Sequence, residues 1–443
     1  MRRVLGDYGM VLVLLGLCLL FSLLTLKEQS PNSDAAAAAL IEPLASEFDT
    51  TDVILAVGAV NTDSALFAEK LGRKLAETGF INAQVVAGEP RDVRVALDDI
   101  SSRGDTLAAI VVSADLEWRI LDQLSENYPE FADHKVLRPQ TRLWPDFLKR
   151  DNLLAIVDRI VVIAIIAVGM TLVIVTAGID LSVGSLIALS AVVGTLVMKT
   201  MGGPEASAWV VLFGFLAGIA CCAVVGALCG SAIYWLKTPP FIATLGVMLI
   251  ARGLAFQTTG GFSIYQVPPS LTWLGQGRSF GAPNTVILLV IIYGAAHVFM
   301  SHTKLARHIY AVGGNKEAAR LSGVPVGFVI VFTYVASAVA AGLGGCIQAS
   351  QLNTGTPNMG MMYELYVIAA VVVGGTSLSG GSGKILGTLI GAFIISVIQN
   401  GMNLLGIGSY AQQIVLGSVI LGAVILDNTQ KEGGIRSLVR STR

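Results

Sequence analysis

Long runs of apolar residues, separated by short polar stretches, recur along most of the sequence. A spanning helix needs about 20 mainly apolar residues, and a run of 18 or more with almost no charge is the usual sign of one. Ten stretches reach or approach this length: residues 8–26, 160–177, 181–198, 209–236, 241–258, 285–300, 326–343, 365–374, 385–399 and 410–426. The pattern predicts an all-α polytopic membrane protein with about ten transmembrane helices.

One of these stretches, residues 365–374, is much shorter than the others. As a helix, ten residues extend only about 15 Å, half the thickness of a bilayer. The segment is therefore either a broken or re-entrant helix, which is tolerated where it lines a cavity walled by protein, or a crossing completed by the polar stretch before it. We expect a crossing, because otherwise the basic C-terminal tail would lie on the outer side.

Residues 27–150 follow a different pattern, in which short apolar runs alternate with amphipathic stretches. Residues 30–40 suggest a flexible lead-in. Strands are then predicted at 52–60, 82–89 and 107–115, and helices at 62–79, 91–104 and 116–128, with Thr62 or Asp63 near a cap and Gly79 as a stop. This alternation predicts an inserted small α/β domain with a parallel sheet. The expected domains are 1–26 (first crossing), 27–150 (insertion), 151–427 (membrane permease domain) and 428–443 (basic tail).

Composition and charge agree with this division. The chain is 54% hydrophobic and only 13% charged, whereas a soluble protein carries about 25% charged residues. Residues 27–150 hold 13 Lys and Arg against 21 Asp and Glu, a net charge of −8, and the remainder holds 16 against 9, a net charge of +7. No region combines basic and aromatic residues as a nucleic-acid surface does, so no nucleic-acid partner is expected.

Basic residues indicate how the chain is oriented, because short cytoplasmic loops collect Lys and Arg, whereas long domains are translocated regardless of charge. If the N-terminus is inside, ten crossings leave two basic residues, Lys199 and Arg278, in short outer loops. The same model places twelve inside: Arg2, Arg3, Lys237, Lys304, Arg307, Lys316, Arg320, Lys384, Lys431, Arg436, Arg440 and Arg443. We therefore expect a multi-pass protein of the bacterial inner membrane with both termini in the cytoplasm and the insertion outside.

The N-terminus also has features of a cleavable signal peptide, with two arginines before an apolar run and small residues at 35–39. The apolar run of 8–26 is longer than the 7–15 residues of a signal peptide. An uncleaved anchor is favoured.

Polar residues within or beside spanning segments are costly, and they usually cap helices or face a pathway. The candidates for helix caps or for the wall of a translocation path are Asp180, Ser182, Arg252, Glu364, Asn400 and Asn403. Asp180 or Ser182 could cap the helix that follows. Arg252 could extend to the interface or pair with an acid, and Glu364 could cap the short eighth segment.

The stretch GTSLSGGSGK at 375–384 resembles a phosphate-binding loop, G-x-x-x-x-G-K-[ST], without matching it. Leu378 stands where the first glycine should be, and Ile385 stands where the magnesium-binding hydroxyl should be. We interpret the stretch as an inner turn between the eighth and ninth segments, with Lys384 as a marker of the inner side. No set of side chains suggests a catalytic or metal site, and no cofactor is expected.

The polar loop at 301–324 contains NKEAARLSG, which predicts a short helix capped by Asn315 and stopped by Gly323. This loop resembles the coupling helix of bacterial ATP-binding cassette importer permeases of the ribose, xylose, arabinose and galactose class. The resemblance extends to VGMTLVIVTAGIDLSVGSLIALSA, TPPFIATLGVMLIARGLAF, YELYVIAAVVVGGTSLSGGSGKILGT and AQQIVLGSVILGAVILD, in the same order from about residue 146 to 427.

The resemblance implies a monosaccharide permease that is not itself an enzyme, since a partner hydrolyses ATP. The implied partners are ATPase subunits, a second and commonly identical permease subunit, and an extracytoplasmic sugar-binding protein, with lipid around the helices. The residues implied to contact the ATPase are Gly313, Gly314, Asn315, Lys316, Glu317, Ala318, Ala319, Arg320 and Gly323. The 27–150 insertion departs from the family pattern, so the mode of docking of the binding protein stays open; the insertion could dock or replace part of it.

Three other functions compete with sugar import. Branched-chain amino acid permeases share the broader fold, although GIDLSVGS and TPPFIATLG favour the sugar class by resemblance. A membrane-anchored sensor would usually need a cytoplasmic output domain, and only short loops and a 17-residue tail are expected there. A secondary transporter would place coupling charges near the middle of the membrane, where only Arg252 is a candidate. The sequence does not identify the sugar.

Overall fold

The computed structural model describes residues 2–29 and 34–431. The chain divides into two compact units, an α/β unit (Leu26–Asp146) and a helical unit formed by Met1–Thr25 together with Phe147–Arg443. Most of the predicted basic tail, from residue 432 onward, lies outside the described residues.

The α/β unit follows helix α1 (Arg2–Leu24) of the helical unit. Its elements are β1 (Leu26–Gln29), α2 (Asp34–Glu47), β2 (Val53–Ala59), α3 (Asp63–Glu77), β3 (Ala83–Gly88), α4 (Pro90–Ser102), β4 (Leu107–Val112), α5 (Arg119–Asp122), α6 (Leu124–Asn127), β5 (Lys135–Leu137) and β6 (Arg142–Pro145).

A parallel four-stranded sheet with the order β3-β2-β4-β5 forms the centre of this unit. Strand β2 is apolar almost throughout because both of its faces are covered. Leu55 and Val57 pack with the α4 side, and Ile54 and Ala56 pack with α2 and α3. Strands β1 and β6 pair antiparallel, with Gln29 opposite Arg142, so the two ends of the unit lie side by side.

The expected strands and helices of the insertion are present, strands β1, β5 and β6 were not expected, and two of the expected elements differ. Residues 34–40 were expected to be a flexible lead-in and are the start of α2, because alanine favours helix and Ala37 and Leu44 are buried against the sheet. The single helix expected at 116–128 is two short helices, α5 and α6. Residues 30–33 lie outside the described residues.

The helical unit continues with α7 (Arg150–Val175), α8 (Val183–Thr200), α9 (Ala208–Trp235), α10 (Pro240–Thr259), α11 (Thr272–Gly275), β7 (Arg278–Ser279), β8 (Ala282–Pro283), α12 (Asn284–His302), α13 (Lys304–Gly314), α14 (Lys316–Leu321), α15 (Val326–Leu352), α16 (Tyr363–Val373), α17 (Ile385–Leu404) and α18 (Ser409–Lys431).

Each of the ten predicted membrane segments falls on a helix of this unit. Among the described residues, seven helices are long and apolar enough to cross a membrane: α7, α8, α9, α10, α12, α15 and α17. Two further apolar stretches are shorter, Gly9–Leu24 within α1 and Tyr363–Val373, which is α16. The predicted class, an all-α polytopic membrane protein, is confirmed.

Helix α15 lies at the centre of the helical unit and packs against α7, α8 and α9. Glycines let these helices approach closely. A Cβ on Gly345 of α15 would lie 2.4 Å from the carbonyl oxygen of Ile187 on α8, and one on Gly226 of α9 would lie 2.7 Å from that of Tyr334 on α15. Such contacts exclude any larger residue. The bundle is therefore held by close backbone approach, as is common between membrane helices.

Candidate functional site

The polar loop between α12 and α15 contains two helices. Thr303 caps α13 by accepting the N–H of Ala306 (3.1 Å), and Asn315 caps α14 by accepting the N–H of Ala318 (2.9 Å). Gly323 ends the motif with a φ of +81°, a conformation that glycine adopts without strain. The predicted coupling residues therefore divide, with Gly313 and Gly314 closing α13 and residues 315–323 forming α14 and its caps.

Helix α14 is exposed and polar. Arg320 donates to Glu317 from Nε (3.1 Å) and Nη2 (3.0 Å), and both side chains are largely exposed. Ala319 is buried, whereas Leu321 is 82% exposed. Helix α14 therefore presents a charged pair and one leucine on its exposed surface.

The glycine-rich turn at 375–384 joins α16 to α17 and packs against the end of α13. The N–H of Gly381 donates to the carbonyl oxygen of Val175 at the end of α7 (2.9 Å). A Cβ on Gly313 would lie 1.7 Å from that same oxygen, and a Cβ on Gly380 would lie 2.8 Å from the oxygen of Gly313. We call this group, Val175, Gly313, Gly380 and Gly381, the glycine seat. At these four residues, α7, α13 and the turn meet through backbone atoms.

A cavity of about 410 Å³ opens beside the glycine seat. Its walls are the end of α7, the junction of α9 and α10, the junction of α13 and α14, and α15. Tyr334 lines it, and the buried hydroxyl of this residue has no hydrogen-bond partner among the described residues. Lys316 also lines it, with Nζ 5.9 Å from the centroid of the Tyr234 ring. We call it the α14-side cavity.

Asp180 is buried between α7 and α8 and binds three donors. Its Oδ1 accepts the N–H of Ser182 (3.0 Å) and the Ser182 hydroxyl (2.6 Å), and its Oδ2 accepts the Ser337 hydroxyl of α15 (2.8 Å). Ser182 precedes α8, and its own side chain accepts no N–H of that helix. Asp180 therefore fastens the turn before α8 to α15, and its carboxylate has hydrogen bonds on both oxygens.

Arg252, on α10, is half-buried and binds backbone carbonyl oxygens. Its Nη1 donates to the carbonyl oxygens of Pro357 (2.7 Å) and Met359 (2.8 Å), in the loop that leads from α15 to α16. Glu364 lies in the first turn of α16, where helix N–H groups favour a negative charge. The Glu364 carboxylate lies against Gly184 on α8, where an added Cβ would come within 2.2 Å of Oε2.

Asn400 and Asn403 take part in contacts between helices. Asn400 exchanges two side-chain hydrogen bonds with Asn152 of α7, at 2.8 and 3.1 Å. The amide oxygen of Asn403 accepts from Gln412 of α18 (2.7 Å). Asn403 and Gln412 also line a cavity, whereas Asn400 fastens α17 to α7.

Two cavities lie at the end of the bundle where α7 and α16 begin and α15 and α17 end. One holds about 370 Å³, the other about 300 Å³, and Arg159 and Tyr363 line both. The other polar lining residues are Asp158, Gln351, Tyr366, Gln399, Asn403 and Gln412. Arg159 is exposed and makes no ion pair within 4.0 Å among the described residues. We call the two the α16-side cavities.

Sequence reasoning missed Asp158 and Arg159 because it began the second crossing at residue 160. Helix α7 begins at Arg150, so both charges lie inside it, in its third turn. The apolar residues on both sides of the pair, LLAIV before and IVVIA after, were the available signal. The structure places Asp158 and Arg159 in the lining of one cavity together with Tyr363 and Gln351.

Comparison with known proteins agrees with the helical unit. Residues 152–426 match the family model for the branched-chain amino acid transport system / permease component. The ribose import permease protein of Escherichia coli K12 is 43% identical over 293 residues, 65% of this chain and 89% of that protein.

Two more relatives from the same strain are 36% identical. The D-allose transport system permease protein matches over 63% of this chain and 84% of its own length. The galactose/methyl galactoside import permease protein matches over 64% and 88%. No solved structure matches the chain.

Proposed function

We propose, on the premise that this chain belongs to the family of branched-chain amino acid transport system permease components, that it is the membrane permease subunit of an ATP-binding cassette importer for a monosaccharide. The observation that carries the proposal is the match, over 84–89% of their length, to permeases that import ribose, allose and galactose. The family description names amino acids, but the relatives cited above are sugar permeases.

The lining of the α16-side cavities supports a sugar. Amides and phenols predominate there, and these groups both donate to and accept from hydroxyls. Arg159 adds an exposed guanidinium that can donate several hydrogen bonds to a neutral polyol. We propose that these cavities lie on the translocation path. Exchange of Arg159 for Ala should raise the KM for sugar uptake, whereas Arg150→Ala, at the exposed start of the same helix, should not.

The substrate is identified by uptake in cells that lack other routes for the solutes tested. Radiolabelled D-ribose, D-galactose, D-allose and L-leucine are compared, with the chain expressed alongside its ATPase and binding protein. Uptake of one or more sugars without leucine is the expected result. Uptake of leucine alone would refute the sugar proposal and leave the family unchanged.

Helix α14 is proposed to dock on the ATPase subunit. An exposed leucine and a charged pair on a short helix, fixed to the bundle by the glycine seat, form a compact surface for a partner. This places the α14 end in the cytoplasm, together with both termini, as the basic residues predict. ATP hydrolysis belongs to the partner in this proposal, and a second permease subunit, commonly identical, completes the path.

Charge reversal tests the docking surface. Glu317→Arg removes the pair with Arg320 and places a positive charge in the positive first turn of α14. We expect uptake to fall at least tenfold while ATPase activity of the complex becomes insensitive to sugar. The control is Glu205→Arg, a reversal at an exposed glutamate in the loop between α8 and α9. Normal uptake in Glu317→Arg would contradict the coupling role.

The α/β unit is proposed to take part in docking or replacing part of the sugar-binding protein on the outer side. Its paired ends make a clean deletion possible, because Gln29 lies opposite Arg142. Residues 31–140 are replaced by a short Gly-Ser linker, which keeps β1 and β6. We expect uptake to require the unit, and unchanged uptake after deletion would remove it from the transport mechanism.

A further inference from the structure

A further cavity, of about 250 Å³, lies where the end of α12, helix α13 and the start of α17 meet. Pockets that enclose a whole small ligand measure about 300–1,000 Å³. This cavity is smaller, so it suits one group of a larger molecule. It shares no lining residue with the α14-side cavity or the α16-side cavities. We call it the α17-start cavity.

The polar groups around the α17-start cavity favour an anion. Lys384 lines it, is exposed, and makes no ion pair within 4.0 Å among the described residues. His297 and Ser301 add an imidazole and a hydroxyl, and each of these groups can donate a hydrogen bond to an anion. Within the described part of the chain, no carboxylate lines the cavity, so no side chain there would repel a negative charge.

The first turn of α17 adds to the attraction of Lys384. The side chain of a lysine has no hydrogen-bond acceptor, so Lys384 at the N-cap leaves the first N–H groups of α17 without the usual capping oxygen. Ile385 and Leu386, which carry two of these groups, line the cavity. The N-terminus of a 20-residue helix favours a negative charge. The cation and the helix therefore attract an anion to the same place.

The apolar surface around the cavity favours a lipid over a free anion. Leu386 is 49% exposed, and Val298, which follows the lining residue His297, is 58% exposed. Helices α12 and α17 are both long and apolar enough to cross a membrane. The cavity lies where one of them ends and the other begins, which is the level of the lipid headgroups. Basic pockets between membrane helices at this level bind anionic headgroups.

We propose that the α17-start cavity binds the phosphate of an anionic phospholipid, with Lys384 and the N-terminus of α17 as its main partners. The acyl chains would extend along the exposed apolar surface of α12. The proposed function enters only in naming the leaflet, which is cytoplasmic if the α14 end lies inside. The hydroxyl of Tyr310 on α13 donates to the carbonyl oxygen of Gly383 (2.8 Å), so two walls of the cavity are already joined. A bound lipid would join α12 to them and stabilise the folded bundle.

Native mass spectrometry of the purified full chain tests the headgroup. The chain, in a neutral detergent, is titrated separately with phosphatidylglycerol and phosphatidylcholine. We expect the first phosphatidylglycerol to bind at least fivefold more tightly, because one basic residue near an anionic lipid contributes about this factor. Equal affinity for the two lipids would overturn the proposal.

Thermal unfolding of the same preparation distinguishes a lipid from free phosphate. Phosphatidylglycerol should raise the unfolding temperature, since it binds the folded state alone. Inorganic phosphate at the same concentration should leave the unfolding temperature unchanged. An equal rise with inorganic phosphate would show a site for a free anion and would contradict the assignment to lipid.

Two lysine variants separate a defined site from general surface charge. Lys384→Gln should weaken the binding of phosphatidylglycerol about fivefold, because it removes the cation of the cavity. Lys237→Gln is the matched control, since Lys237 is exposed between α9 and α10 at the same end of the bundle and does not line this cavity. It should leave the affinity unchanged. An equal loss in both variants would refute a defined site.

A carboxylate placed in the cavity gives a second test that does not depend on Lys384. Leu386→Asp puts a negative charge in the first turn of α17, where it favours the helix, so the fold should persist. The preference for phosphatidylglycerol should be lost in this variant and kept in Leu386→Asn, which has the same shape without the charge. A preference retained in Leu386→Asp would contradict the proposed position of the phosphate.

Failure of this site and failure of the proposed function are distinguishable, because lipid binding is measured on the purified chain and uptake is measured in cells. If a sugar is imported and the chain shows no preference for phosphatidylglycerol, the lipid site fails and the permease function stands. If leucine alone is imported, the sugar proposal fails, and a preference that Lys384→Gln weakens and Lys237→Gln keeps still supports the lipid site.

Discussion

Gly313 and Gly314 are the last two residues of α13, and they differ in the space that a side chain would have. A Cβ on Gly313 would lie 1.7 Å from the carbonyl oxygen of Val175 and 2.6 Å from the amide nitrogen of Gly381. A Cβ on Gly314 would meet nothing within 4 Å. Exchange of each for alanine therefore adds the same methyl group to two neighbouring positions, only one of which is closed.

The magnitude follows from two opposing terms. Replacing glycine by alanine in a helix gains at most about 1 kcal/mol, and less at the last residues of the helix. Overpacking costs about 1–3 kcal/mol where side chains can move. At Gly313 the nearest atoms are backbone, so the upper part of that range applies and α13 must shift by more than an ångström. We expect Gly313→Ala to be destabilised by about 2 kcal/mol and Gly314→Ala to be unchanged or slightly stabilised.

Thermal unfolding of the purified permease measures the difference in stability between the two variants, and sugar uptake in cells measures the difference in transport. Displacing the glycine seat should also displace α14, so uptake should fall strongly in Gly313→Ala. Wild-type expression is lowered until both proteins are present in the membrane at the same level. Gly314→Ala should transport normally. Equal stability and equal uptake in the two variants would refute the contact between α13, Val175 and the glycine-rich turn.

Three further predictions follow from contacts in the two units. Asp180→Leu should lower stability by about 3 kcal/mol, because it leaves the Ser182 and Ser337 donors buried and unpaired. Asp180→Asn keeps an acceptor and should lower stability less, and thermal unfolding compares the two variants. Arg252→Met should speed hydrogen exchange in residues 355–362, the loop whose carbonyls it binds, and unchanged exchange would contradict the clamp. In the α/β unit, burial and then the hydrogen bond to Asp98 raise the pKa of Tyr128 from 10.0 to about 12. The folded state therefore keeps this proton to a higher pH than the unfolded state, so the contribution of Tyr128 to stability is fully present below pH 10 and is lost between pH 10 and 12. Tyr128→Phe should remove this loss of stability in denaturant titrations.

The length of the apolar runs was sufficient to locate the helices of the membrane unit, because each run falls on one of them. The bounds differed where polar residues continue a helix. Helix α15 runs on to Leu352 through Gln348 and Gln351, and α7 starts ten residues before the predicted 160. Packing inside the bundle lets these polar residues remain helical. A prediction from consecutive apolar residues ends the helix before them.

The partners of the candidate residues could not be predicted from spacing. Ser337 lies 157 residues from Asp180, and Pro357 lies 105 residues from Arg252. Each pairing depends on how two helices are placed by close glycine contacts elsewhere. The stretch at 375–384 is a turn between α16 and α17, as predicted, and its glycines serve a second purpose, since they let α13 approach closely.

The glycine seat has a mechanical consequence. Long side chains between two elements act as soft springs, because their rotamers absorb part of any displacement. At Val175, Gly313, Gly380 and Gly381 no side chain intervenes, so the ends of α7 and α13 and the turn before α17 meet as rigid surfaces. A push applied to α14 would reach three parts of the bundle with little loss of amplitude. Stiffness at this point, and not strength of binding, would then determine how far the rest of the bundle moves.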